Sequence, residues 1–255
     1  MRSAVLRLVG MTPPRVAGVF THGSLLAKLL RPLINRLLPE GYQPVTVRSG
    51  PAQGIRVLLE PRHEKYYWTG THEPHVQQAL SQLLKPGMTF WDVGAHIGLF
   101  SLLASRAVGE RGAVHAFEPQ PDNRSRLHDS IKLNSATNVS VHDFALSDTT
   151  TDALLYAHQS STMWSLVREQ SAEDGIRVQC KTLDSVSEVL DPPNVIKIDV
   201  EGAELNVLQG GRRLLADHRP NLLVEFSNGV LLEEARNLLP FYTFEQLGGN
   251  HWLAQ

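Results

Sequence analysis

A single cysteine, Cys180, stands in the whole chain of 255 residues. That excludes an intrachain disulfide framework and a metal site built from cysteines. Cys180 lies in the apolar-alternating run Ile176-Arg177-Val178-Gln179-Cys180, which predicts a strand thiol rather than a nucleophile. A reducing, cytoplasmic setting fits. Neither sign of charge dominates: 24 Lys and Arg stand against 26 Asp and Glu, a formal net charge of -2. Without a basic field, duplex DNA and bulk RNA are poor default partners, and no nucleic acid is expected. No apolar run reaches the roughly 20 residues that a membrane span needs. The most apolar early stretch, residues 25–38, is broken by Lys28, Arg31, Pro32 and Arg36. Pro13, Pro14 and Arg15 fall where the apolar core of a secretory leader would lie. Also missing are a Walker loop, a G-x-S-x-G elbow and a C-x-x-C pair. The eleven histidines include no H-x-x-x-H pair with zinc spacing.

What the chain does have is a regular alternation of strand and helix patterns. With 42% hydrophobic and 20% charged residues, it suits one α/β domain carrying an N-terminal appendage. We divide it into residues 1–65, a helical segment with a small β extension, and residues 66–255, the principal domain. In the first part, leucines recur at helical spacing over 25–38. That stripe reads as a helix packed on the main domain, or as a peripheral membrane or dimer contact over 18–38. Residues 45–47 and 55–59 read as two short strands. Further strands are expected at 89–93, 113–117, 139–144, 195–199 and 222–225, and helices at 73–84, 97–108, 121–134, 183–190 and 203–216. A Ser/Thr-rich β insertion covers 147–181, and a hairpin of 242–247 and 251–254 closes the pattern around Gly248-Gly249-Asn250. Strands alternating with helices imply a mostly parallel sheet with helices on both faces.

In such a sheet ligands bind at the carboxyl ends of the strands, so the residues just after each strand carry the argument. Nearly every strand here ends on a carboxylate. The first is followed by Asp92-Val93-Gly94-Ala95-His96-Ile97-Gly98. Gly94 and Gly98 let the backbone approach a ligand and set a helix N-terminus against it. His96 occupies the place of the middle glycine that serves a pyrophosphate, which weighs against NAD. Asp92 would repel a pyrophosphate but suits a ligand carrying a sulfonium and an ammonium. Glu118 ends the second strand, 26 positions after Asp92, near the offset at which an acid takes ribose hydroxyls in dinucleotide folds. Asp143 and Phe144 follow the third strand, where an adenine would lie. The densest acid cluster is Ile196-Lys197-Ile198-Asp199-Val200-Glu201-Gly202-Ala203-Glu204. Glu201 and Glu204 have an ordinary explanation at the positive end of a helix. Asp199 is expected to orient or deprotonate a substrate, with Glu225 reaching the same space. No metal is predicted, the alternative being a divalent cation on Asp199 and Glu225. His72, His96 and His251 are the histidines nearest this crevice.

These residues resemble the FkbM-type methyltransferases. The matching blocks are Trp91 to Ser101, Ala116-Phe117-Glu118-Pro119, Phe144-Ala145-Leu146-Ser147-Asp148, Thr182-Leu183-Asp184 and Ile196 to Glu204, with Gly70-Thr71-His72-Glu73 upstream. The resemblance implies a Rossmann-like class I methyltransferase fold with a seven-stranded sheet and a C-terminal antiparallel hairpin. It implies S-adenosyl-L-methionine as cofactor and O-methylation of a small molecule or glycan. Glu73, Asp92, Gly94, Ala95, His96, Gly98, Glu118, Asp143 and Phe144 would then form the cofactor site, and Asp199 with Glu225 the catalytic pair. His96 stands where the family usually has Asn. Ser227 stands where members often have a histidine, two positions after the strand-end glutamate. The rival readings are a Rossmann-type NAD-dependent oxidoreductase and a non-catalytic cofactor-binding module acting through the Leu-rich N-terminus. Specificity is expected from residues 1–75, 147–181 and the C-terminal hairpin.

Overall fold

The structure, a computed structural model, describes residues 36, 38–157, 164–166 and 175–255. The helix expected over 25–38 and the membrane or dimer contact over 18–38 lie outside the described residues, save Arg36 and the buried Leu38.

A seven-stranded sheet forms the centre, in the order β12-β13-β11-β10-β3-β4-β5. Its strands are β3 (Thr89–Val93), β4 (Ala113–Phe117), β5 (Val139–His142), β10 (Val195–Ile198), β11 (Asn221–Glu225), β12 (Phe244–Gly248) and β13 (His251–Ala254). The β3, β4, β5, β10 and β11 pairings are parallel. β13 alone runs against its neighbours, β11 and β12. The expected mostly parallel sheet with a closing antiparallel hairpin is therefore present. The parallel strands are apolar on both faces because helices cover both. On β3, Phe90 packs into one core layer, while Trp91 and Val93 join the other.

The first layer holds α2 (Pro74–Leu83) and α3 (Leu99–Val108), and it takes in the hairpin of β1 (Gln43–Thr46) and β2 (Arg56–Leu59). That hairpin is fastened to α4 (Pro121–Asn134) by a buried ion pair, Arg126 to Glu64 at 2.5 Å, with the same guanidinium donating to the Leu58 carbonyl. The second layer holds α5 (Leu183–Val186), α6 (Glu204–Gln209), α7 (Arg212–His218) and α8 (Gly229–Leu238). Local chemistry explains several boundaries. α4 starts with Pro121 in its first turn and Gln120 accepting the Asn123 N–H. α5 starts on a reciprocal Thr182–Ser185 capping box, and α8 on Asn228.

Some elements differ from the sequence expectation. The single helix expected over 203–216 is two, broken at Gly210-Gly211. Side chains at those glycines would collide with the Ser147 carbonyl and the Leu183 side chain, so close packing put glycine there and glycine interrupts the helix. α1 (Lys65–Thr69) and α8 were not foreseen. The strand expected over 139–144 stops at His142, and Ala145–Leu146 (β6) instead pairs in a second sheet. That sheet is the insertion, ordered β6-β9-β7-β8, with β7 (Thr151–Ala157), β8 (Trp164–Ser165) and β9 (Ile176–Lys181). Cys180 lies buried in β9, as the alternation predicts.

Candidate active site

Strand order reverses between β3 and β10: from β3 the chain works outward to β5, then returns to the other side. A crevice must open there at the carboxyl edge. A cleft of about 320 Å³ occupies this place. One wall is made by Gly94, His96 and Glu118, continued by an apolar surface of Phe117, Ala145, Leu146, Leu155 and Leu166. The other wall is made by Asp199, Val200, Glu201 and Glu225, with Tyr66, Tyr67, His72 and Glu73 from the segment before β3.

On the first wall the loop after β3 folds back on the sheet. The Gly94 and Ala95 amides both donate to the Phe117 carbonyl. Gly94 has φ 81° and its position would drive a Cβ into the Asp199 carbonyl oxygen, so only glycine fits between the two walls. Gly98 has a different reason: a side chain there would strike Leu127 of α4. Glu118 accepts the His96 N–H at 2.7 Å and the Gln120 N–H at 2.9 Å. Those bonds fix its carboxylate in place. Burial nevertheless pushes it up to about 7. His96 takes part through its backbone and through Nδ1, 3.0 Å from the Tyr67 hydroxyl, while its buried Nε2 has no partner. Burial holds this ring neutral, with a pKa of about 3.

The remaining residues expected on this wall stand back from it. Asp92 is fully buried behind the loop, where it accepts from Ser101 Oγ at 2.5 Å, and its Oδ1 is unpaired. Asp143 is exposed and Phe144 is buried under the Lys181 ammonium. Neither they nor Ala95 and Gly98 line the cleft, whose apolar surface comes instead from β4 and the insertion.

The second wall is built from ionisable groups. Lys197, almost wholly buried in a strand of apolar residues, donates to Asp199 Oδ2 at 2.7 Å. A charged residue in a buried parallel strand was the signal that sequence reasoning passed over. Glu204 is structural, as expected: its Oε1 accepts from the Val200 and Gly202 amides and holds the turn. Glu201 is not. It lines the cleft, and burial, then Asp199, push it up to about 7. Glu225 is raised to about 8, by burial first and then by the Asp199 carboxylate. Because β13 is antiparallel to β11, its first residue, His251, sits directly opposite Glu225. His251 Nε2 lies 3.2 Å from Glu73 Oε2 and 3.6 Å from Glu225 Oε2. The third acid, Glu73, is the N-cap of α2.

Three non-glycine residues on this cleft, Glu73, His96 and Glu201, have left-handed backbone, with φ of 41°, 50° and 54°. Such conformations cost about 1–3 kcal/mol each and persist where surrounding structure imposes them, commonly at functional sites. Two more among the described residues, Ser135 and Arg219, are helix C-caps, where the conformation is ordinary.

A family model described as the methyltransferase FkbM domain matches residues 92–246. The chain belongs to the FkbM methyltransferase family. Among its relatives, the hexuronic acid methyltransferase AglP of Haloferax volcanii is 30% identical over 151 residues, 58% of this chain and 60% of that protein. Methyltransferase 1 of Beauveria bassiana is 28% identical over 141 residues, 47% of this chain and 56% of that protein. The matched stretch thus spans less than two thirds of either relative. The crystal structure of methyltransferase FkbM from Methylobacillus flagellatus KT superposes with a TM-score of 0.49 at 17% identity, covering 75% of this chain and 52% of that one. No helix among the described residues is long and apolar enough to cross a membrane.

Proposed function

We propose that this FkbM-family chain transfers a methyl group from S-adenosyl-L-methionine to a hydroxyl of a sugar or glycan. The observation that carries the reading is the asymmetry of the cleft. One wall offers backbone, a single fixed carboxylate and an apolar surface. The opposite wall offers converging acids and aromatic rings. The first wall fits the cofactor. Glu118, its oxygens fixed by two amides, can still accept from both ribose hydroxyls. Phe117, Leu146 and Leu155 supply a surface for the adenine. Gly94 admits the methionine part, and buried Asp92 stands behind the loop with its Oδ1 unpaired.

The cofactor, once bound, supplies a methyl already made electrophilic by its sulfonium. The protein's work is to align the acceptor oxygen and to receive its proton. Asp199 is the group for both tasks. Lys197 holds one of its oxygens, which fixes the carboxylate's orientation. Tyr66, Tyr67 and His72, with ring centroids 4.2 to 5.2 Å apart, form an aromatic platform on which the apolar face of a sugar ring can lie. The hexuronic acid named for the Haloferax relative is an acceptor of this class.

The test is calorimetry with S-adenosyl-L-methionine and NAD in parallel, followed by label transfer from methyl-labelled cofactor to a panel of uronic-acid and neutral glycosides. Binding of S-adenosyl-L-methionine alone, with label appearing as a methyl ether, is the expected result. Binding of NAD, or cofactor binding with no transfer to any hydroxylated acceptor, would overturn it.

A further inference from the structure

At the acceptor end of the cleft, Glu73 Oε2, Glu225 Oε2 and His251 Nε2 converge, all within 4.8 Å of one another. They come from three separate elements, the α2 N-cap, β11 and β13, so no local turn explains their meeting. We propose that these three residues form a site for a divalent cation of the Mn²⁺ class, whose remaining coordination positions face the cleft and take oxygens of the acceptor. Its use on the acceptor rests on the methyl-transfer reading; the cation site itself does not.

The ring of His251 is the independent observation. His251 is 9% exposed, and its Nε2 points between the two carboxylates. Glu73 Oε2 is 3.2 Å away, near enough to pair with a protonated imidazole, but the two atoms are not aligned for a hydrogen bond, and both are sealed from solvent. The atoms are therefore grouped around a common point without being bonded to one another. The other ring nitrogen, Nδ1, lies 2.9 Å from His75 Nε2. When Nδ1–H donates to His75, the Nε2 lone pair is turned toward the carboxylates, the arrangement by which a partner fixes a ligating imidazole.

Charge balance points the same way. Glu73, Glu225 and Asp199 converge here, and among the described residues the buried ammonium facing them is that of Lys197. Three carboxylates against one ammonium leave the equivalent of two negative charges. Protonation of His251, which the facing carboxylates favour, offsets one of them, and a divalent cation in its place offsets both. Two carboxylates with one imidazole match a first-row divalent ion that accepts both oxygen and nitrogen. Such an ion makes a coordinated hydroxyl more acidic and reverses the repulsion that an anionic sugar would meet from this wall.

The test needs neither cofactor nor acceptor. The full chain, stripped with EDTA, is titrated with MnCl₂, and bound Mn²⁺ is read by electron paramagnetic resonance. One saturable site is expected. It should weaken at least about tenfold in Glu225→Gln and in His251→Gln, and about 10- to 100-fold in the supporting variant His75→Phe. Asp148→Asn, exposed and outside the cluster, should bind as the unsubstituted protein does, and circular dichroism checks that each variant is folded. No saturable site, or a site of the same affinity in folded Glu225→Gln and His251→Gln, overturns the proposal. So does nitrogen-15 NMR showing His251 protonated on both nitrogens and unmoved by diamagnetic Mg²⁺ or Zn²⁺. Any of these results leaves methyl transfer intact, and a failed transfer assay leaves Mn²⁺ binding intact.

Discussion

The two walls of the cleft are made by opposite strategies. The wall after β3 and β4 is mostly backbone: amides tied to one carbonyl, a glycine at positive φ, and a single carboxylate held by two N–H groups. The wall after β10 and β11 is mostly side chain, with the ionisation of Glu201, Glu225, Glu73, Lys197 and His251 shifted by charged neighbours, Asp199 among them. A backbone wall is rigid and tolerant of what surrounds it, which suits an invariable ligand. A wall of coupled titrating groups can be retuned by one substitution, which suits a variable acceptor and proton transfer. The comparison makes a separable prediction for each wall.

The largest effect is expected from Asp199→Asn. The amide oxygen still accepts from Lys197, so the buried ammonium keeps a partner. The turnover rate should fall about 10²- to 10⁴-fold through loss of the proton acceptor. Cofactor affinity, measured by calorimetry, should stay within about twofold, since the change in energy is confined to the other wall. Glu118→Gln should do the reverse. Cofactor affinity should fall about 10- to 100-fold, the worth of charge-assisted hydrogen bonds that the amide cannot fully replace, with the rate at saturating cofactor little changed. If either variant damages both quantities equally, the two walls do not work independently.

Gly94→Ala probes the seam. Its Cβ would strike the Asp199 carbonyl oxygen at a left-handed backbone position, so one methyl group should harm both walls. We expect a loss of about 1–3 kcal/mol in thermal or denaturant unfolding, together with weaker cofactor binding and slower turnover. The smallest effect is the pH dependence of binding. Burial raises Glu118 to about 7, so in the free protein its contribution to stability is full below the ordinary carboxylate range and is lost as pH rises through about 7. Ribose hydroxyls donate to the ionised form, so cofactor affinity should increase, by several-fold, as pH rises from about 6 to about 8. Glu118→Gln should bind with a flat profile over that interval.

The same contrast governs how far each wall can be read from residue order alone. Gly94, Glu118 and the strands under them follow from short-range patterns: an apolar run, a glycine turn, an acid at the next strand's end. Glycines are harder to read, because packing uses the same residue type as ligand binding. Gly98 answers to Leu127, and Gly210-Gly211 to Ser147 and Leu183. The Asp199 block was legible for the same reason. So was Glu225 beside it, but the meeting of Glu73 and His251 with Glu225 was not. Glu73 and His251 reach Glu225 only through a helix N-cap and through antiparallel register, which no spacing along the chain encodes. Asp143 and Phe144 do not line the cleft because the strand ends two residues early, at His142, and Ala145, Leu146 and Leu155 stand there instead.

The reversal of β13 carries an implication for how such a protein can change. A side chain on a strand switches face when the pairing slips by one residue. His251 follows directly on the Gly248-Gly249-Asn250 turn, next to an irregularity in pairing between Gln246 and Gly248. Adding or removing one residue in that exposed turn would turn the imidazole away from Glu73 and Glu225 without altering any of the three. Length variation in a surface loop, ordinarily the most neutral kind of genetic change, is here a route to gaining or losing chemistry at the acceptor end.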